Sequence, residues 1–143
     1  MTTDREAGST LPLVLVLFVV AMSFVAVAAG ATALHLDRLR LLTLADGAAL
    51  AGAESFRVAD VHVEGGGVVP ALAPGTVGAE VHRYLADADA GELDGLTVRR
   101  ATTTDGRSAT VTLAALWHPP IISELLPLTL PIEVTSTAAA RFR

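Results

Sequence analysis

Four histidines and one acidic run are the places in this sequence where side-chain chemistry could begin. His35, His62, His82 and His118 lie far apart and form no H-x-x-x-H or H-E-x-x-H pattern. That spacing is what sets two imidazoles on one helix face to hold zinc. They read as solvated or hydrogen-bonded side chains. The run "DADAGELD" (87–94) has the alternating carboxylates of a calcium loop, but Gly91 takes the fifth loop position, where Asp or Asn should offer an oxygen. It reads as a solvated helix end. Three glycines at 65–67 match neither G-x-x-x-x-G-K-[ST] nor a G-x-G-x-x-G that opens a helix, so a flexible connection is expected instead of a phosphate cradle. No G-x-S-x-G, no kinase or nucleotide motif and no acid/base pair at interpretable spacing is present. The expectation is a protein that is not an enzyme, with no catalytic, cofactor-binding or metal residues, no cofactor and no evident small-molecule substrate.

Composition narrows the function classes further. The formal net charge is −5, and all ten basic residues are Arg. A nucleic-acid partner would call for a basic face, so none is expected. There is no cysteine, which excludes disulfides and thiol catalysis. Just over half of the residues are apolar, mostly Ala, Val and Leu, and they concentrate at the N-terminus.

That concentration defines the first element. Leu11 to Leu36, "LPLVLVLFVVAMSFVAVAAGATALHL", is 26 residues without a formal charge, His35 counted neutral. As a helix it is roughly 39 Å long at about 1.5 Å per residue, against a bilayer core of about 30 Å. Ser9 or Thr10 can cap it, and Pro12 falls in the first turn, where a missing N–H costs little. The competing reading is a cleaved secretory signal, since Ala26-Val27-Ala28 and Ala31-Thr32-Ala33 both fit a small-x-small site. The length of the apolar run, and a lead with one Arg against two acids, favour a retained anchor. Arg5 before the span and Arg38 and Arg40 after it favour, by charge count alone, an inside C-terminus.

The helical pattern does not stop at Leu36. Leu39, Leu42, Ala45, Ala49 and Gly52 recur at three- and four-residue spacing, with Arg38, Arg40, Asp46 and Glu54 between them. A helix from about Leu11 to Ser55 is roughly 65–70 Å long, twice what a bilayer needs, so its second half must pack on something outside. Ala26, Gly30, Ala45, Ala49 and Ala53 place small residues along it, a spacing that permits close helix–helix approach.

The segments "DREAGSTLPLVLVLFVVAMSFVAV" and "LHLDRLRLLTLADGAALAGAESF" together resemble the N-terminus of TadE/TadG-like proteins of Flp-type, tight-adherence pilus systems, especially short TadE-like members. The resemblance rests on an acidic/Arg-Gly-Ser start, an immediate apolar helix and the R-L-x-x-L-A-D-G-A-A-L-A-G-A segment after it. It covers residues 4 to 56. It implies a pseudopilin-like membrane protein, N-terminus in and C-terminus out, acting without catalysis in pilus assembly or secretion, with the membrane and other pilus or secretion subunits as partners. One departure stands out. Processed pilins are cut after a Gly followed five residues on by Glu; here Gly8-Ser9 is followed by Leu13. Gly8-Ser9 therefore reads as a polar lead-in with a helix cap.

The rest of the chain breaks into short pieces. "FRVADVHVE" (56–64) alternates as a strand, and "GGGVVPALAPG" (65–75) reads as a turn-rich connection. "TVGAEVHRYLADADAG" (76–91) reads as a helix capped by Thr76, with Val77, Val81, Leu85 and Ala88 on one face and Gly91 at its stop. Asp105-Gly106 between two alternating runs predicts a two-residue type I′ hairpin, with Val98 opposite Leu113 and Arg100 opposite Val111. Its dry face carries Leu96, Val98, Ala109, Val111 and Leu113, spoiled only by Arg100; Thr97, Arg99, Thr103, Ser108, Thr110 and Thr112 face water. A last alternation sets Ile132, Val134, Ser136, Ala138, Ala140 and Phe142 on one side and Glu133, Thr135, Thr137, Arg141 and Arg143 on the other. "WHPPIISELLPLTLP" (117–131) is too short and too Pro-broken to span a bilayer. It either closes the core or offers an apolar patch to a membrane or a partner.

The expected fold class is α+β, pilin-like: a long N-terminal helix and a small antiparallel sheet of three or four strands. The expected layout is a cytoplasmic lead at 1–10, a transmembrane helix at 11–36 continuing to about 55, and an extracytoplasmic head at 57–143. The expected function is a membrane-anchored structural or accessory subunit, minor-pilin- or pseudopilin-like, single-pass in the cytoplasmic membrane. The alternative is a soluble binding module released by signal peptidase.

Overall fold

The computed structural model describes residues 10–55, 61–64, 67–88, 93–120 and 127–139. The chain is α+β, as expected. It begins with one uninterrupted helix, α1 (Thr10–Ala53), 44 residues and so about 66 Å long. Pro12 lies in its first turn, where its missing N–H breaks no intrahelical bond. Ser23, Thr32 and Thr43 each turn their hydroxyls back onto the carbonyl four residues earlier, at 2.8–2.9 Å, which satisfies these three donors within the helix. The helix ends where Ser55 caps it, its hydroxyl and its N–H both donating to the Gly52 carbonyl.

The head follows. β1 (Val61–Glu64) and β2 (Gly67–Pro70) form a two-stranded antiparallel hairpin in which Glu64 pairs with Gly67. α2 (Pro74–Asp87) comes next, and then β3 (Thr97–Thr102), β4 (Ser108–Trp117) and β5 (Leu130–Ala139) make an antiparallel sheet with β4 in the centre. The core lies between this sheet, α2 and the last third of α1. Leu41, Ala45, Ala48 and Ala49 of α1 meet Val77 and Val81 of α2 and Ala109, Val111, Leu113 and Ala115 of β4. The small α1 residues let helix and sheet approach closely, while Leu, Val and Ile supply the apolar area removed from water.

Several expectations need correction. The packed face of α1 is Leu41–Ala45–Ala48–Gly52, and Leu39 and Leu42 are exposed instead. The sequence offers Leu at 39, 41, 42 and 44, and only the position of the sheet selects which stripe turns inward. The stretch 65–75 contains strand β2, because Val68 and Val69 are β-branched and pair back on Val63 and His62. Residues 56–60 of the expected strand lie outside the described residues. α2 starts at Pro74, whose fixed φ suits the first helical position; Ala73 is its N-cap without a side-chain bond, and Thr76 lies within the helix. Its last helical residue is Asp87, and Gly91 lies outside the described residues.

The β3–β4 hairpin is the most instructive case. Val98 pairs with Leu113 as expected, but Arg100 pairs with Thr112 and Ala101 takes the place opposite Val111. A bulge between Val98 and Arg100 makes the shift. It removes Arg100 from the dry face, leaving Arg99 and Arg100 both exposed and Ala101 packed against the core. The extra residue is absorbed in a five-residue turn, Thr103 to Arg107, in place of a two-residue one. Asp105 organises that turn: its Oδ1 accepts the N–H groups of Arg107 (2.9 Å) and Ser108 (2.7 Å), and the Ser108 hydroxyl binds both its oxygens. Thr103 Oγ1 accepts the Gly106 N–H at 3.0 Å, which draws Thr103 out of the wet face and buries it. Gly106 adopts φ +67°, a left-handed conformation that favours glycine.

Candidate functional site

The residue types that could do chemistry are not brought together. His35 on α1 and His82 on α2 are exposed. His62 lies on β1, in the separate hairpin. His118, just past β4, places Nδ1 3.5 Å from Asp94 Oδ2, and both side chains are open to solvent. Among the described residues no group of three or more His, Asp or Glu side chains could hold a metal ion. Of the acidic run, Asp87 ends α2 and Asp94 is exposed, while 89–92 lie outside the described residues. Asp105 has a displaced acidity. The backbone N–H groups of Arg107 and Ser108, with the Ser108 hydroxyl, hold its carboxyl at about 2, below the usual carboxylate value. That is the chemistry of a turn.

The feature with functional content is α1 itself, which changes character along its length. From Leu11 to Val27 its large apolar side chains stand in the open, Leu11 at 78% and Phe24 at 74%. An eighteen-residue window in this helix reaches a mean hydropathy of 2.8, and none of that window is buried by the rest of the chain. By length and composition α1 can cross a membrane. Partial burial begins near Ala33, Leu34 and Asp37, and from Leu41 one face is sealed. Asp37 and Arg38 are the first charges after the apolar run, and Asp37 pairs with Arg40 at 3.4 Å.

The sealed face is fastened at three points. Gly52 fits beneath Val77, Val81 and Ala109, where a β-carbon would stand 3.1–3.4 Å from their side chains. Gly47 lies under the Tyr84 ring, which occupies the space a β-carbon would need. Asp46 Oδ1 accepts the Ser136 hydroxyl from β5 at 2.5 Å. The sequence marks Gly52 by its spacing, but nothing local marks Gly47 or the Asp46–Ser136 bond. Those depend on contacts across 37 and 90 residues. Trp117, at the end of β4, is buried with its indole N–H lacking a hydrogen-bond partner.

α1 is thus an exposed apolar rod that carries a small head on its last third. Residues 8–55 match the family model described as putative Flp pilus-assembly TadE/G-like, which bears out the resemblance read from the sequence. This N-terminal segment is TadE/G-like; the match includes all of α1 and none of the strands or α2. Neither the curated proteins nor the solved structures contain a match to the chain.

Proposed function

We propose that the protein is a non-catalytic, membrane-anchored structural or accessory subunit of a Tad/Flp pilus or a related secretion apparatus, minor-pilin- or pseudopilin-like in role. One observation carries the reading. The family match at 8–55 covers a helix whose large apolar side chains from Leu11 to Val27 stand in the open and whose last third is the floor of the head's core. Such a helix has two occupations: residues 11–36 stand in lipid, where close packing with other subunits is available, and residues 41–53 hold the head. Residues 1–10 form a cytoplasmic lead and 57–143 an extracytoplasmic head, so the chain is single-pass, N-terminus in. Protease applied to spheroplasts tests the topology. Digestion of the head with a membrane-embedded N-terminal fragment left behind fits it. A head protected until the membrane is opened contradicts it.

A second reading has one observation in its favour. Cutting after Ala28 or Ala33 would leave Leu41–Ala53 and its contacts intact, so the head could fold as a released binding module. Filament entry is a third fate. It needs processing at Gly8 despite Leu13, and a mature N-terminus at Ser9 would demonstrate it.

A further inference from the structure

The two contacts that fasten the sheet to α1 also fix which end of the head points back along the helix. Ala109 lies at Gly52, and Ser136 lies at Asp46. Ala109 pairs with Ala138, and Ser136 with Val111. Moving from Ala138 to Ser136 on β5 thus moves from Gly52 to Asp46 on α1, so β5 runs alongside the helix in the same direction. Six residues further back on β5, at about 3.3 Å each before allowing for strand tilt, is Leu130, roughly 15–20 Å nearer the N-terminus of α1. At about 1.5 Å per helical residue, that is the level of residues 33–36. The partial burial of Ala33, Leu34 and Asp37 on the face that continues from Leu41 agrees with this placement.

That level is the outer end of the uncharged run, where α1 leaves the bilayer. The described head ends there in exposed apolar side chains. Leu130 is 51% exposed, Leu128 is 50% exposed, and Leu116, paired with Pro131 beside the Trp117–Leu130 pair, is 44% exposed. The core side chains of the head are covered: Leu113, Val77, Val81 and Val111 are fully buried, while Leu50, on the outward side of the head-bearing part of α1, is 52% exposed. Asp94, whose carbonyl accepts the Leu116 N–H at 2.8 Å, marks a polar edge to the patch. An apolar surface with a polar edge, held at the mouth of a lipid-crossing helix of the same chain, has the lipid interface as its nearest partner.

We propose that the Leu116–Leu128–Leu130 end of the head seats in the headgroup–acyl boundary of the membrane that α1 crosses, so that the head stands on the bilayer with β4 and β5 upright beside the helix. The occupant is the lipid surface itself. This inference rests on the reading of α1 as a retained anchor.

The chain has no cysteine, so single environment-sensitive labels can be placed cleanly. The full chain, reconstituted in phosphatidylcholine vesicles, would carry the label at Leu128→Cys, Leu130→Cys or, as a far-end control, Thr104→Cys in the β3–β4 turn. The expected result is blue-shifted emission and severalfold quenching by lipids brominated high on the acyl chain at 128 and 130. The label at 104 should emit as in water and stay unquenched. Water-like emission at 128 and 130 in protein that floats with the vesicles overturns the seating and leaves the anchor standing. Labels shielded from water but not quenched by the lipids also overturn it, and point to a protein partner at this end. Failure of the unlabelled chain to float overturns the anchor and the seating together.

Discussion

Gly52 of α1 and Ala109 of β4 meet so closely that a β-carbon on the glycine would stand 3.2 Å from that of the alanine, with Val77 Cγ1 at 3.1 Å. This contact sets the distance between helix and sheet, and every other core residue is packed to that distance. Gly52→Ala is expected to change stability by less than about 1 kcal/mol, because the gain in helix propensity offsets the tight fit. Gly52→Val adds two more carbons to a filled space and is expected to cost about 1–3 kcal/mol or more. Urea unfolding of the detergent-solubilised full chain, followed by near-UV circular dichroism, checks both.

The Asp46–Ser136 bond fastens the last strand to the helix at an exposed position. Ser136→Ala is expected to lower stability by about 0.5–1.5 kcal/mol, the ordinary net worth of one such bond. Asp46→Asn keeps an acceptor for the hydroxyl and should lose less. In a double-mutant cycle with Asp46→Ala, the two losses should be less than additive; full additivity would show that the bond contributes nothing.

Asp105 gives the head a defined acid response. Its carboxyl sits at about 2 because it accepts the N–H of Arg107 first, then the N–H and hydroxyl of Ser108. A carboxyl whose folded value lies below its unfolded one, about 3.9, contributes stability that is fully present above the unfolded value. The contribution falls away as pH drops through the window from about 4 to about 2. Asp105→Ala should therefore narrow the gap to the native chain as pH falls through that window. Unfolding midpoints from pH 6 down to pH 2 measure it, and a gap that stays constant contradicts the role.

How far the sequence alone reaches differs from element to element, for physical reasons. α1 was legible because 26 uncharged residues and a continuing three-four spacing leave a helix little competition. The dry faces of β4 and β5 were legible from alternation, since Val111, Leu113 and Val134 are buried as read, but Thr112, expected to face water, is buried as well, its hydroxyl bonded to that of Thr135. The inner stripe of α1 was not, since Leu at 39, 41, 42 and 44 permits more than one choice and the sheet decides. The bulge at Arg99–Arg100 was hidden as well. Alternation assigns Arg100 to the core, and the chain avoids the cost of burying a charge by inserting one residue, a solution that is visible only with β4 in place. Strand β2 was missed because its glycines and proline outweighed two valines. The membrane level of the Leu116–Leu130 end follows from two contacts between residues far apart in sequence, so no local pattern could carry it.

The central claim is that α1 stays attached and holds the head at a membrane. The most direct test is the N-terminal sequence of the protein from its native cell, taken together with alkaline membrane extraction. A retained anchor gives a chain that begins at Met1 or Thr2 and remains in the extracted membrane pellet. A soluble protein outside the cell that begins near Ala29 or Leu34 would contradict it, and would make the head a released module.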